Sequence, residues 1–249
     1  MVSSLQVGKL APNFLTIGVY KNQLGKIRLS DYRGKKYVIL VFYPANFTSL
    51  SVTELIRLND KISEFKKLSA QILAVSIDSP FSHLQFLLAT SYQNGLKELD
   101  YPLISDLTQK ITNNYQLLTE DGLAFPGLFI IDKEGIIQYY TVNNLLCGRS
   151  INEILRVLRS IQYVKENPGQ ICPVDWDFGI DNLEAGIIAA GTIFHYLSET
   201  EHKDVNHIAS ITRIEEEKYV WLDKFTIRNL ELIFTQHPEG VSLIDILDH

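Results

Sequence analysis

Residues able to do chemistry collect where an apolar run meets a turn. Residues 37–41 are followed by Phe42-Tyr43-Pro44-Ala45-Asn46-Phe47-Thr48-Ser49-Leu50-Ser51-Val52-Thr53-Glu54. The run reads as a strand buried on both faces, and residues 52–68 place Leu55, Leu58, Ile62, Phe65 and Leu68 at helical spacing. Ser51 therefore falls at the start of a helix that directly follows a strand. Thr48 stands one turn before it, Glu54 one turn after it and Pro44 in the connecting turn. A nucleophile in that place is favoured as an anion by the helix N-terminus and by any cation nearby. A thiol would ionise there near neutral pH, whereas the hydroxyl of Ser51 does not. The two thiols of the chain, Cys147 and Cys172, lie elsewhere in the sequence.

The elements that must position these residues alternate along the first 165 positions. Residues 71–77 read as the next strand, Asp78-Ser79-Pro80 as the start of a helix over 81–89, Asp100-Tyr101-Pro102 as a loop, and 107–115 as a short helix. Residues 127–132 and 135–142 flank Lys133-Glu134 as a β-hairpin. Ser150-Ile151-Asn152-Glu153 is a capping box before the periodic run 154–164, which Asn167-Pro168-Gly169 ends. This alternation predicts an α/β layered domain.

Composition bounds the rest. With 249 residues, 46% of them apolar, the chain can bury a sizeable core without disulfide staples. Two cysteines do not make a secreted disulfide framework, so a reducing compartment is expected. No apolar stretch reaches the roughly 18 residues of a membrane-crossing helix, and the opening Met-Val-Ser-Ser-Leu-Gln has neither charged leader nor apolar core, so no secretory signal is expected. The net charge of −6 is uneven: residues 1–176 hold 18 Lys and Arg against 15 Asp and Glu, and residues 177–249 hold 5 against 14. The shift predicts two segments of different origin joined near Asp177, and the acidic second one argues against binding phosphate backbones.

The motifs of the first segment run in the order of a known family. They are Gly8-Lys9-Leu10-Ala11-Pro12-Asn13-Phe14, Leu29-Ser30-Asp31-Tyr32-Arg33-Gly34-Lys35, the Pro44–Thr48–Ser51 spacing, Val75-Ser76-Ile77-Asp78-Ser79, Leu118-Thr119-Glu120-Asp121-Gly122, Gly127-Leu128-Phe129-Ile130-Ile131-Asp132 and Gly169-Gln170-Ile171-Cys172-Pro173-Val174-Asp175-Trp176. Residues 1–176 resemble a typical 2-Cys peroxiredoxin of the AhpC/TSA type, which implies a thioredoxin-like fold. The resemblance implies a thiolate that attacks the peroxide O–O bond and becomes a sulfenic acid, a second cysteine that converts this to a disulfide, and thioredoxin as reductant. It also implies a homodimer or larger ring and no cofactor or metal. By position Pro44, Thr48 and Glu54 match the family, and Cys172 matches the resolving cysteine. Ser51 stands where the peroxidatic cysteine belongs, Val52 replaces the proline after it, and Pro126 replaces the arginine that holds positive charge at the site. An engineered trap would change the cysteine alone; three coupled departures predict a chain whose activity is impaired or lost. Over-oxidation sensitivity is not expected, because the loop reads Asn94-Gly95-Leu96-Lys97 and no Tyr-Phe tail follows Trp176.

Residues 178–249 resemble something else. Phe178-Gly179-Ile180, Ala189-Ala190-Gly191, 195–202, 221–232 (with Arg228-Asn229-Leu230-Glu231-Leu232) and 240–248 are similar to the beginning of the MutS mismatch-repair core domain. This implies a mostly α, incomplete fragment, without the P-loop or the mismatch wedge. A helix is expected over 183–196. His195, His202 and His207 are spaced seven and five apart, which does not put three ligands on one helical face. Three other readings stay open: a non-catalytic oligomeric, chaperone-like or regulatory partner of active peroxiredoxins, a weak peroxidase using Cys172, and a mismatch-repair role for the second segment. Cys147 is expected to be a packed small residue and His83 a structural one, and a Cys147–Cys172 disulfide is left open. The location expected is bacterial cytoplasm, or plastid stroma for a plastid-encoded chain.

Overall fold

The structure is a computed structural model and describes residues 5–89, 96, 99–177 and 183–184. The chain divides into two units, Met1–Leu183 and Glu184–His249, and the fold is that of the first. Its organising element is β3 (Tyr37–Phe42), all six residues of which are buried. Alternate side chains of a strand point to opposite faces, so this all-apolar strand needs cover on both. Tyr37, Ile39 and Val41 pack on one face with Leu55, Leu58, Phe65, Phe86, Leu155 and Leu158. Val38, Leu40 and Phe42 pack on the other with Phe14, Ile111, Tyr115 and Phe129.

Six further strands complete one sheet: β1 (Leu15–Tyr20), β2 (Gln23–Arg28), β4 (Ala70–Ser76), β5 (Leu103–Ser105), β6 (Gly127–Ile131) and β7 (Ile137–Val142). Their order is β2-β1-β5-β4-β3-β6-β7. β3, β4 and β5 run parallel, and β6, β7, β1 and β2 extend the sheet with antiparallel pairs. Helices α1 (Ser49–Asp60), α2 (Ile62–Lys67), α3 (Pro80–Leu88) and α5 (Ile151–Glu166) cover the first face. The short α4 (Lys110–Asn114) lies on the second. This is the α/β, thioredoxin-like layering that the motif order implies.

Several expectations need correction. The helix expected over 52–68 starts earlier, at Ser49, and breaks at Lys61 (φ −96°, ψ 7°) into α1 and α2. The β1–β2 hairpin escapes a periodicity reading because most of its residues are exposed. Its turn is nevertheless marked by Lys21 and Asn22, both left-handed (φ 49° and 57°), as a two-residue type I′ turn requires. β5 was hidden behind the loop 100–102 because it has only three residues. The capping box is half formed. Ser150 accepts from the Glu153 amide at 3.3 Å, but the Glu153 carboxylate receives Arg156 Nε and Nη2, each at 2.7 Å. Leu183–Glu184 is a short strand where a helix start was expected. The remainder of the MutS-like reading, with His195, His202 and His207, lies outside the described residues, as do Asn94, Gly95 and Lys97.

Candidate functional site

The parallel strands β3 and β4 end side by side, Phe42 opposite Val75, and the Tyr43 amide still donates to the Val75 carbonyl at 3.0 Å. The chain then turns through half-buried Pro44 and reaches Phe47, which is left-handed at φ 61°. Thr48 follows in extended conformation as the N-cap of α1 (φ −80°, ψ 140°). An N-cap threonine ordinarily uses its hydroxyl on a helix amide. Here it makes no such bond: Thr48 Oγ1 donates to Ser51 Oγ at 2.6 Å and lies 3.2 Å from the Ala45 carbonyl. Ser51 is 1% exposed, in the first turn of α1 with its side chain against the turn. Thr48 and Ser51 thus come together, with Pro44 in the turn that precedes them, and the two hydroxyl oxygens are in contact.

Glu54 is also buried, and its partner was not singled out from the sequence. Arg149 donates its backbone N–H and Nε to Glu54 Oε1 at 2.7 and 3.0 Å, and Nη2 to Oε2 at 2.6 Å. Its Nη1 donates to the Gly127 carbonyl at 2.6 Å. This planar fork ties α1 to the start of α5 and to the start of β6. The two residues stand 95 apart in sequence, so no local periodicity joins them. The available signal was the run Gly148-Arg149-Ser150 just ahead of the helix cap. Pro126, which precedes Gly127, is buried, offers no charge and no N–H, and accepts from the Asn143 amide at 2.9 Å. The guanidinium that reaches the start of β6, that of Arg149, is therefore committed to Glu54 and Gly127. A groove of about 290 Å³ runs between α1 and the start of α5, lined by Thr53, Arg57, Lys61, Arg149 and Asn152 among others; Ser51 is not among its lining residues.

Both cysteines are free thiols, so the structure holds no Cys147–Cys172 disulfide. Cys147 is exposed, against the expectation of a packed residue, because its loop 143–148 lies mostly on the surface. Cys172 is half-buried with Sγ 3.8 Å from the Ser160 carbonyl of α5, its described contact being with α5 and not with the Ser51 turn. Burial pushes its thiol pKa up, against the weak bond to Ser160 and the Arg156 charge. The segment that carries it is fixed by Arg156 Nη1 on the Trp176 carbonyl at 2.9 Å and by the Trp176 ring, 5.1 Å from that of Tyr163. His83 is fully buried, with Nδ1 3.2 Å from Asn46 Oδ1 and 3.4 Å from the Tyr43 hydroxyl. Burial lowers its pKa and keeps the ring neutral, in keeping with a structural residue.

The same segment of chain matches known proteins. A family described as the AhpC/TSA family matches residues 7–140. A putative peroxiredoxin ycf42 from Trieres chinensis is 74% identical over 179 residues, covering 72% of this chain and 88% of that protein. A chloroplastic 2-cysteine peroxiredoxin from Chattonella marina var. antiqua is 48% identical over 191 residues, 77% of this chain and 98% of that one. Among solved structures, the reduced 2-Cys peroxiredoxin of Plasmodium vivax superposes with a TM-score of 0.70 at 35% identity, covering 72% of this chain and 93% of that chain.

Proposed function

The chain belongs to the AhpC/TSA family of peroxiredoxins, and on that premise we propose that its own peroxide reduction is impaired or lost. The observation that carries this is Ser51: an oxygen, hydrogen-bonded to Thr48, where the reaction needs a sulfur. Peroxide reduction requires a thiolate to attack one oxygen of the O–O bond, take it up as a sulfenic acid and release the other as water. A serine hydroxyl does not ionise near neutral pH and its oxygen has no sulfenic state. The charge that would hold a polarised peroxide is also missing at Pro126, and Arg149 is occupied by Glu54. Cys172 is a weak substitute, because burial disfavours its thiolate.

What remains is the frame of the family, and we propose that the chain uses it to pair with a second copy or with an active relative. Among the described residues β7 is an edge strand; Ile137 is bonded to Gly8 and Lys9, and beyond it Tyr140 and Val142 are exposed, which leaves that part of the edge for pairing. Residues 178–249 would be an appended MutS-core-like fragment. No helix among the described residues is long and apolar enough to cross a membrane. The plastid stroma is the proposed location, supported by relatives described as chloroplastic.

The test is gain of function. Ser51→Cys and Ser51→Cys/Pro126→Arg are compared with the natural chain for hydrogen peroxide consumption and for dimedone trapping of a sulfenic acid at position 51. The expected order is no consumption by the natural chain, slow consumption by the single variant and faster consumption by the double. Consumption by the natural chain at a rate that Ser51→Cys does not raise would overturn the proposal.

A further inference from the structure

The turn bearing Thr48 and Ser51 is not held by its own residues alone. β3, β4 and β5 are parallel, so their carboxyl ends open on one edge of the sheet. The loop leaving β3 carries Asn46, two residues before Thr48, and the loop leaving β4 carries Asp78. Asp78 Oδ2 accepts the Asn46 amide at 2.8 Å and the Ser76 hydroxyl at 2.7 Å, and Oδ1 accepts the Ser82 hydroxyl at 3.0 Å. The Asn46 side chain completes the link. Its Nδ2 donates to Ser82 Oγ at 2.8 Å and its Oδ1 accepts the Tyr43 hydroxyl at 2.9 Å. From β5, the Ser105 hydroxyl donates to the Asp78 carbonyl at 2.7 Å.

Capping α3 does not explain these bonds. Ser79 supplies that cap by accepting from the Ser82 amide at 3.1 Å, which leaves the Asp78 carboxylate for the neighbouring loop. The residue that follows Asn46 is the left-handed Phe47, a conformation unfavourable for a bulky side chain. Such residues persist only where the surrounding structure over-determines them. The Asn46 amide bond to Asp78 sits immediately before the strained residue, and the Thr48–Ser51 pair immediately after it.

We propose that Asp78 is the positioning residue of this turn: its carboxylate pins the Asn46 amide, holds Phe47 left-handed and so sets the two hydroxyls of Thr48 and Ser51 against each other. This role is independent of whether peroxide turnover has been lost. The carboxylate accepts from all three donors at once; an asparagine of the same shape could still satisfy them, with its NH2 on a Ser82 hydroxyl turned to accept it, whereas an alanine accepts from none.

The test reads the turn directly in the full chain. In a Cys147→Ser/Cys172→Ser background, Ser51→Cys places a single thiol in the turn as a reporter. Its iodoacetamide reaction rate against pH gives the thiol titration midpoint, and amide hydrogen exchange at 46–52 gives the opening of the turn. Adding Asp78→Ala is expected to shift the midpoint and to speed exchange at 46–52 by about tenfold to a hundredfold, with the β6 amides 128–131 unchanged. Ser82→Ala, which leaves the carboxylate in place, is the milder arm and is expected to speed the same amides by less. Exchange rising equally in the turn and in β6, in either variant, would make Asp78 a contributor to general stability only and overturn the proposal. An unchanged midpoint with unchanged exchange at 46–52 would overturn it as well.

Discussion

Replacing Arg149 by methionine is the most demanding test of how the site is built. The Arg149 and Glu54 side chains are 4% and 6% exposed, so the pair is out of water. Methionine fills similar space but leaves the Glu54 carboxylate with the Arg149 backbone N–H alone, and the Gly127 carbonyl loses its donor. Stranding one partner of a buried ion pair costs about 3–5 kcal/mol, a large part of the roughly 5–15 kcal/mol that stabilises a domain. Glu54→Leu/Arg149→Met removes both charges, and its stability is expected within about 2 kcal/mol of the natural chain. The assay is native-state hydrogen exchange at Ile39, Leu40 and Leu73, buried residues of β3 and β4. These amides report the opening of this unit without requiring the whole two-unit chain to unfold in one step. A single-variant loss below about 1 kcal/mol, or a double variant as unstable as the two singles added, would refute the buried and mutually satisfied pair.

Three further outcomes are expected. Burial holds the His83 imidazole below its ordinary 6.5, so the unfolded chain takes up a proton that the folded chain resists. Its contribution is complete above pH 6.5 and is lost as pH falls through the lowered folded value, at no more than about 1.4 kcal/mol per pH unit. His83→Asn should remove that slope in urea titrations. It should leave the acid loss below about pH 4.5 that comes from Glu64 and Glu153, held down by hydrogen bonds from Lys61 and Arg156. Thr112→Val should be neutral or raise the melting temperature by a few degrees, because the fully buried Thr112 Oγ1 finds no hydrogen-bond partner among the described residues. A clear drop would show that the hydroxyl is satisfied. With a disulfide reagent at neutral pH, exposed Cys147 should react at least about tenfold faster than half-buried Cys172; equal rates would contradict the burial of Cys172.

What the sequence made legible follows physical rules of local range. The strand Tyr37–Phe42 showed itself because burial on both faces demands an unbroken apolar run, and α5 because one apolar face repeats every three or four residues. The Thr48–Ser51 contact was legible because both lie, with Pro44, in one strand–turn–helix unit. The β1–β2 hairpin was not, since exposed strands carry little apolar alternation, and β5 was too short to show a period. The contacts that fix the site were also hidden. Glu54 with Arg149 and Asn46 with Asp78 join residues 95 and 32 apart, and both depend on the order in which the strands assemble. The helix break at Lys61 interrupts a run whose apolar spacing continues across it, so spacing alone gives no sign of the break.

Peroxide consumption by the full natural chain, followed as NADPH oxidation with thioredoxin and thioredoxin reductase beside an active 2-Cys peroxiredoxin, tests the central claim most directly. A Ser51 oxygen in place of the reacting sulfur predicts a rate no greater than the protein-free control. Turnover at the rate of the active peroxiredoxin, abolished by Cys172→Ala, would contradict it.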